Sequence, residues 1–338
     1  MFDGFHARNC ALLGSIPSGM FSGDGTPLPG LGRAGVGTVD KLGAPIDGTK
    51  LVGYFNPHDT GTVFGSTYKN LVSDQRDLAI YNGMSYTSGF VDGRGFWSGT
   101  SGDSSKLTRY FEADGVDDFL GPLEATNYGD TETGLYLNYE GSWHVSMWVN
   151  FPEQSWGYSG CEMFSCGSQG GNDWEGYVAR MRATGFEYDF AEEAFITTSA
   201  SYIKPVEKNR WYFVSFENNG DVSIETAADG FTIAVDGKVL PHQLGGGGAT
   251  GPFERKMETS PIYIGASYEQ YETDPDVFER YYMHARAGAK FGEIMVYSGD
   301  IGINRIIQNF MATRETYNRH SGEKNPYFIE GVESHDGW

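Results

Sequence analysis

Apolar and polar residues alternate in short bursts along most of the chain, and few of these bursts are long enough for anything but a strand. WHVSMWVNF (Trp143 to Phe151) and RWYFVSFE (Arg210 to Glu217) carry the aromatic and β-branched residues that suit a pleated, half-buried surface. In the first segment Trp143, Val145, Met147 and Val149 share one face and His144, Ser146 and Trp148 the other. One set is therefore expected between two sheets, with Phe213 and Ile233 as neighbours. FTIAVDGKVL (Phe231 to Leu240) predicts a hairpin turning at Asp236-Gly237, and PIYIGAS (Pro261 to Ser267) predicts a further strand. Helical spacing is clear in one place. After Ser298-Gly299-Asp300, residues Ile303, Ile306, Ile307, Phe310, Met311 and Tyr317 form a single apolar stripe, which predicts a helix packed on the sheets.

Many short antiparallel strands with closely spaced turns predict an all-β sandwich or jelly roll. Composition points the same way, with 48 Gly, 15% aromatic and 20% charged residues among 338. Residues 1 to 50 form a separate zone, rich in Gly and Pro, with neither period at useful length. Such an arm buries no core of its own, and is either disordered or ordered against the main body or a partner. The formal net charge of −21 repels phosphate backbones and anionic membranes, which argues against nucleic-acid binding. MFDGFHARNCALLGS lacks a basic stretch followed by an apolar one, and no run of about 18 apolar residues follows, so synthesis in the cytoplasm without membrane insertion is expected.

Reactive side chains are sparse. Cys10, Cys161 and Cys166 cannot all pair within the chain, and no second cysteine pair or histidine cluster completes a zinc site, so idle or buried thiols are expected. The seven histidines show no metal-binding spacing. The glycine run from Gly245 to Gly248 lacks the following lysine and helix of a phosphate loop and reads as a flexible connection. GFEYDFAEEAF places Glu187, Asp189 and Glu192 in the spacing E-x-D-x-x-E, which resembles the catalytic strand of laminarinase-type glycoside hydrolases. In that reading they are the catalytic residues of a retaining endo-β-glucanase. The alternative is a solvated strand face, since Glu187 and Asp189 alternate with Tyr188 and Phe190 as carboxylates in water and aromatics in the core would. No tryptophan-rich platform accompanies the motif, so the solvated face is expected and catalysis is not.

Seven segments in order carry a resemblance: residues 51 to 86, YFEADGVDDFL (Tyr110 to Leu120), WHVSMWVNFP, NRWYFVSFE, FTIAVDGKVL, PIYIGAS, and FGEIMVYSGDIGINRIIQNFMATRETYN (Phe291 to Asn318). Together they resemble the laminin-G-like, concanavalin A-like jelly-roll domain common in bacteriophage virion proteins, over roughly residues 51 to 320. The resemblance implies two packed antiparallel sheets, no obligatory catalysis, and a place among capsid decoration, fibre or tail components. It also implies calcium at Asp114, Asp117 and Asp118 as a candidate, since such folds sometimes hold calcium at their rims; turn-forming aspartates are the alternative. The expected organisation is an arm at 1–50 docking on other virion proteins, the sandwich at 51–320, and a tail at 321–338. The expected function is a non-enzymatic virion structural protein, with a tail adhesin for host-surface glycan and a hydrolase as alternatives. Added surfaces mark where partners bind. The stretch from Ser267 to Lys290 reads as a long acidic loop whose Tyr268, Tyr271, Tyr281 and Tyr282 are candidates for contact with glycan or with a second copy in a homo-oligomer.

Overall fold

The computed structural model describes residues 51–59, 61–72, 75–90, 107–123, 135–138, 142–152, 161–169, 175–182, 185–190, 194–198, 207–218, 231–240, 242–245, 259–274 and 277–317. The arm at 1–50 and the tail at 321–338 lie outside them. The strands form two sheets that pack as an all-β sandwich of jelly-roll type, as the alternation predicts. One sheet runs through Lys238–Val239, Phe231–Val235, Trp211–Asn218, Trp143–Asn150, Lys290–Tyr297, Leu107–Glu112 and Ser85–Phe90, and Leu51–Phe55 also pairs with Lys290–Tyr297. The other runs through His242–Gly245, Ala194–Thr198, Gly185–Phe190, Glu175–Arg182, Cys161–Gln169, Thr259–Ile264, Phe119–Gly121, Leu78–Tyr81, Thr67–Tyr68 and Val63–Phe64. Asp236 (φ 51°) and Gly237 (φ 77°) make the predicted turn, pairing Val235 with Lys238, because two successive positive φ values give the twist a two-residue hairpin needs.

Trp143, Val145, Met147 and Val149 face the second sheet, where they meet Phe164, Ile262 and Ile264, with Ile233 and Phe216 beside them. Phe213 does not join them. It lies opposite Trp148 while Val214 lies opposite Met147, so alternation sends Phe213 to the reverse face of the sheet. That face is covered by the Gly302–Tyr317 helix, whose Ile306, Phe310 and Tyr317 are fully buried against Trp148, Trp211 and Phe213. The Trp148 ring stacks on Tyr317 at 4.9 Å, and its Nε1–H donates to Thr313 Oγ1 at 2.6 Å. Gly292 permits this approach, since a Cβ there would stand 2.5 Å from the Tyr317 ring. Cys161 and Cys166 are buried thiols in the core, and burial pushes the Cys161 thiol up. Among the described residues no helix is long and apolar enough to cross a membrane.

Covering both faces of the central strand buries His144 and Ser146 as well. His144 Nδ1 donates to Glu217 Oε2 at 3.1 Å, which leaves Nε2 of the neutral ring to accept from Ser146, whose hydroxyl lies 2.9 Å from that of Ser215. Glu217 Oε2 also accepts from the N–H groups of Ile301 (2.7 Å) and Gly302 (3.1 Å), so the carboxylate under the sheet caps the start of the helix. Burial holds His144 below its ordinary value of 6.5, against the pull of Glu217. Burial acts to raise Glu217, but the bonds from His144, Ile301 and Gly302 bring it below its ordinary 4.5.

Between pH 6.5 and 4.5 the unfolded chain therefore protonates His144 while the folded chain resists, so this group's contribution to stability falls as the pH falls. His144→Gln should reduce the slope of stability against pH in that window by up to about 1.4 kcal/mol per pH unit. Urea titrations at several pH values measure it, and a slope equal to that of the wild type would refute the assignment.

Candidate binding rim

The E-x-D-x-x-E residues do not behave as a wet row. In the Gly185–Phe190 strand Phe186 points into the core, and alternation places Glu187 on the reverse face. Yet Glu187 is only 5% exposed, which corrects the expectation that it stands in water. Three adjacent strands set Glu162, Arg180 and Glu187 in register, an arginine between two carboxylates, and Arg180 Nε lies 3.6 Å from Glu162 Oε2 with both nearly buried. Charged groups persist under cover in such company, which alternation alone does not reveal. Glu192 and the side chain of Asp189 lie outside the described residues.

The stretch after Ser267 is not the loop that its acidity suggests. Ala266–Asp274 and Val277–His284 form an antiparallel ribbon, with Tyr268 opposite Tyr282, Glu269 opposite Tyr281 and Tyr271 opposite Glu279. Tyrosine, phenylalanine and valine favour strands, and although most of them stand opposite acidic residues, that propensity outweighs the density of acidic ones. The side chains of Tyr268, Tyr271, Tyr281 and Tyr282 lie outside the described residues. The base of the ribbon is held by Ser165 Oγ donating to the Ala266 carbonyl at 2.8 Å and by Ala285 N–H donating to that of Gly265 at 2.6 Å.

Beside that base several turns meet. Residues 113–118 carry the chain from one sheet to the other, and residues 285–289 carry it back. The two crossings lie against each other: Gly115 (φ +83°) approaches so closely that a Cβ would stand 2.4 Å from Ala287 N, and Gly288 N–H donates to the Ala113 carbonyl at 2.8 Å. Within the first crossing Asp114 Oδ1 accepts from Val116 N–H at 2.7 Å and Asp118 Oδ2 from Asp114 N–H at 2.9 Å. The aspartates are thus turn-forming, and they also cluster, with one carboxylate oxygen from each of Asp114, Asp117 and Asp118 within 4.8 Å of the others. Burial raises the Asp118 carboxyl above the ordinary carboxylate range and the charges of Asp114 and Asp117 add to this, against the bond from Asp114 N–H.

The next turn supplies side chains that the sequence did not mark. Asn82 Nδ2 donates to the Asp117 carbonyl at 2.6 Å, and Tyr81 stacks on Phe119 at 4.4 Å, with Tyr263 beyond it at 6.0 Å. Tyr81 is half-buried, while Asn82, Asp114 and Asp117 are exposed. Val116 (70% exposed) precedes Asp117, and Leu123 (43%) follows Pro122, whose carbonyl accepts from the Tyr81 hydroxyl; with Phe64 they are the exposed large apolar residues among those described. The only hint in the sequence was the D-G-V-D-D-F block itself. A different cluster, Ser146, His144 and Glu217, has the order of a nucleophilic triad, but it is buried beneath the helix and braces it.

No protein-family model and no curated protein matches the sequence. Among solved structures, a mutant of the Trypanosoma rangeli sialidase displaying trans-sialidase activity superposes with a TM-score of 0.45 at 12% identity, over 81% of this chain and 35% of that one. The same sialidase in complex with sialic acid gives 0.45 and 12% over 79% and 33%. The binding domain of Paraclostridial Mosquitocidal Protein 1 gives 0.45 and 12% over 77% and 52%. The chain thus spans about a third of the sialidase and about half of the binding domain. These findings correct the expectation of a protein without catalysis, since sialidases stand among the superposed structures. At such scores they assign no activity in its place.

The packing of the two crossings is testable through two glycines. Gly83 (φ +90°) has open space around it, so Gly83→Ala should cost only backbone strain of about 1 kcal/mol. Gly115→Ala adds a collision with backbone and should cost about 2–3 kcal/mol by urea denaturation. Equal costs would mean that the crossings do not pack as described.

Proposed function

We propose that the chain is a structural component of a bacteriophage virion that displays its sandwich outward and holds host-surface glycan at the rim formed by Tyr81, Asn82, Val116 and Leu123. The observation that carries this reading is the half-buried Tyr81 ring, stacked on Phe119 and bonded to the Pro122 carbonyl just before exposed Leu123, with exposed Asn82 next to it bonded to the Asp117 carbonyl just after exposed Val116. Exposed apolar side chains met singly are ordinary, but gathered around an aromatic ring they mark a recognition surface. Sugars present apolar C–H faces and hydroxyls together, and such a surface offers a ring to the first and Asn82 and Asp117 to the second. Residues 1–50 join the sandwich to other virion proteins in this reading, and the ribbon carrying Tyr268, Tyr271, Tyr281 and Tyr282 contacts a neighbouring copy. Its support is the ordered resemblance of residues 51 to 320 to virion jelly rolls and the ribbon that sets Tyr268 opposite Tyr282.

Two measurements test it. Host-envelope polysaccharide should bind the wild type, and Tyr81→Ala should weaken that binding by about tenfold or more while Tyr81→Phe retains it, since the ring and not the hydroxyl stacks. Equal binding by both variants would remove the glycan from this rim. Deleting residues 1–45 should leave a folded sandwich that no longer joins particles, and wild-type occupancy of the truncated chain on virions would show that the anchor is elsewhere.

A further inference from the structure

We propose that Lys290 and Asn150 are joined by an intramolecular isopeptide bond, which the folded chain forms by itself with Glu112 carrying the proton. The inference is independent of both the glycan reading and the virion reading.

Register places the groups. Adjacent strands set Trp211 opposite Asn150, Asn150 opposite Lys290 and Lys290 opposite Glu112, and residues directly opposite in an antiparallel pair share a face. It is the outer face of the sheet, because the neighbours Val149, Phe291 and Phe111 turn into the core. Opposite Cβ atoms stand about 4.5–5.5 Å apart, a gap that a lysine side chain spans to reach a carboxamide. Lys290 Nζ lies 3.7 Å from Glu112 Oε1, donates to the Gly288 carbonyl at 3.0 Å and stands 5.8 Å from the centre of the Tyr110 ring.

The second observation is the state of Asn150. Its side chain is wholly buried, and neither Oδ1 nor Nδ2 has a hydrogen-bond partner. A carboxamide idle at both ends is costly under cover, whereas an apolar residue would fill the same position without that cost. An amine directly opposite gives it a use. Burial lowers the Lys290 amine below its ordinary 10.5, against the pull of Glu112, which favours the neutral, nucleophilic form. Tyr110 and Trp211, themselves buried with ring centres 5.8 Å apart, keep bulk water from the row. Trp211 Nε1 is also buried without a hydrogen-bond partner, and on the strand beside Asn150 it is the donor available to Oδ1 as negative charge develops there.

The step balances within these groups. The Nζ lone pair attacks Asn150 Cγ, a Cγ–Nζ bond forms, and the Cγ–Nδ2 bond breaks. Glu112 takes a proton from Nζ and returns it to Nδ2, which leaves as ammonia. No oxidant or reductant is needed. The Gly288 carbonyl, which accepts from Nζ beforehand, is in place to accept from the new amide N–H, and a buried ammonium is replaced by a neutral amide.

The test is intact mass spectrometry of the full chain, with peptide mapping, for the wild type, Lys290→Arg and Glu112→Gln. The wild type should weigh one ammonia less than its sequence, and digestion should release a branched peptide joining the segments around Asn150 and Lys290. Lys290→Arg keeps the charge but loses the nucleophile, and it should have its full mass. Glu112→Gln should lower the linked fraction at a fixed time by at least about tenfold. The Glu112 side chain is 34% exposed, so this variant keeps the test decisive even if Lys290→Arg folds poorly. Unlinked chains should unfold roughly 5–15 °C below the linked one. A wild type of full mass overturns the proposal. So does an ammonia loss that persists in Lys290→Arg, or one that maps to a succinimide at Asn82-Gly83, since neither involves this pair. Linkage in Glu112→Gln at the wild-type rate overturns the role of Glu112. Neither glycan nor particle enters these readouts, so their outcome is separate from the fate of either reading.

Discussion

Both faces of the Trp143–Asn150 strand are buried, and the polar side chains on one of them must be satisfied without water. Much of the remaining architecture answers that constraint. Trp143, Val145, Met147 and Val149 require a second sheet, and Trp148 on the reverse face requires a third layer. The helix provides that layer over Trp148, and His144 and Ser146 on the same face are fully buried as well. Glu217 resolves both needs with one carboxylate oxygen, accepting from His144 beneath and from the first N–H groups of the helix above. Removal of that oxygen would leave the buried His144 Nδ1–H and the N–H groups of Ile301 and Gly302 without this acceptor at once, which is why a single acidic residue couples the sheet to the layer outside it.

A similar logic fixes the far end of the helix. Tyr317 stacks on Trp148 and lies over Gly292, while its hydroxyl is 3.2 Å from His58 Nε2. The neighbouring Glu293 is almost wholly buried and accepts a short bond from the Tyr54 hydroxyl, which ties the Leu51–Phe55 strand to the strand beneath the helix. Burial first, and the charge of Glu293 next, raise the Tyr54 hydroxyl well above the usual phenol range, so it remains a donor. Covering the outer face of this sheet therefore depends on a few polar contacts at its margins as well as on apolar area.

Alternation made much of this fold legible. The helix stripe, the Asp236-Gly237 turn and the inward set of the central strand all follow from side-chain period and turn chemistry, which are local properties. Phe213 was misplaced because its face depends on register with another strand, and register is not written within a single segment. Glu187 was misread for a related reason: the arginine that accompanies it under cover lies on a neighbouring strand. The Ala266–His284 ribbon was hidden by its own composition, since acidic residues suggested a loop while the tyrosines, phenylalanine and valine set among them favour strands. Of the rim, only the aspartates could be picked out in advance. Asn82 meets Asp117, and Tyr81 meets Pro122, through contacts between separate segments that no local pattern encodes.

The position of the rim follows from how a sandwich is threaded. Wherever the chain leaves one sheet for the other it has to cross the edge, and its backbone groups there need partners outside the strand ladders. Here two crossings, residues 113–118 and 285–289, run side by side and satisfy each other: Ala113 N–H donates to Ala289, Gly288 N–H to Ala113, and Gly115 fits against Ala287 with no room for a side chain. Each crossing is anchored at its two ends in different sheets, so their side chains are held by the whole sandwich while remaining at its surface. An exposed carboxylate cluster on a free loop would relax by spreading apart. On this doubly anchored turn Asp118 cannot move away from Asp114 and Asp117 without breaking the Asp114 N–H bond and the contact with Ala287. The repulsion is therefore built into the fold, and the same rigidity that keeps it in place is what a preformed binding surface requires.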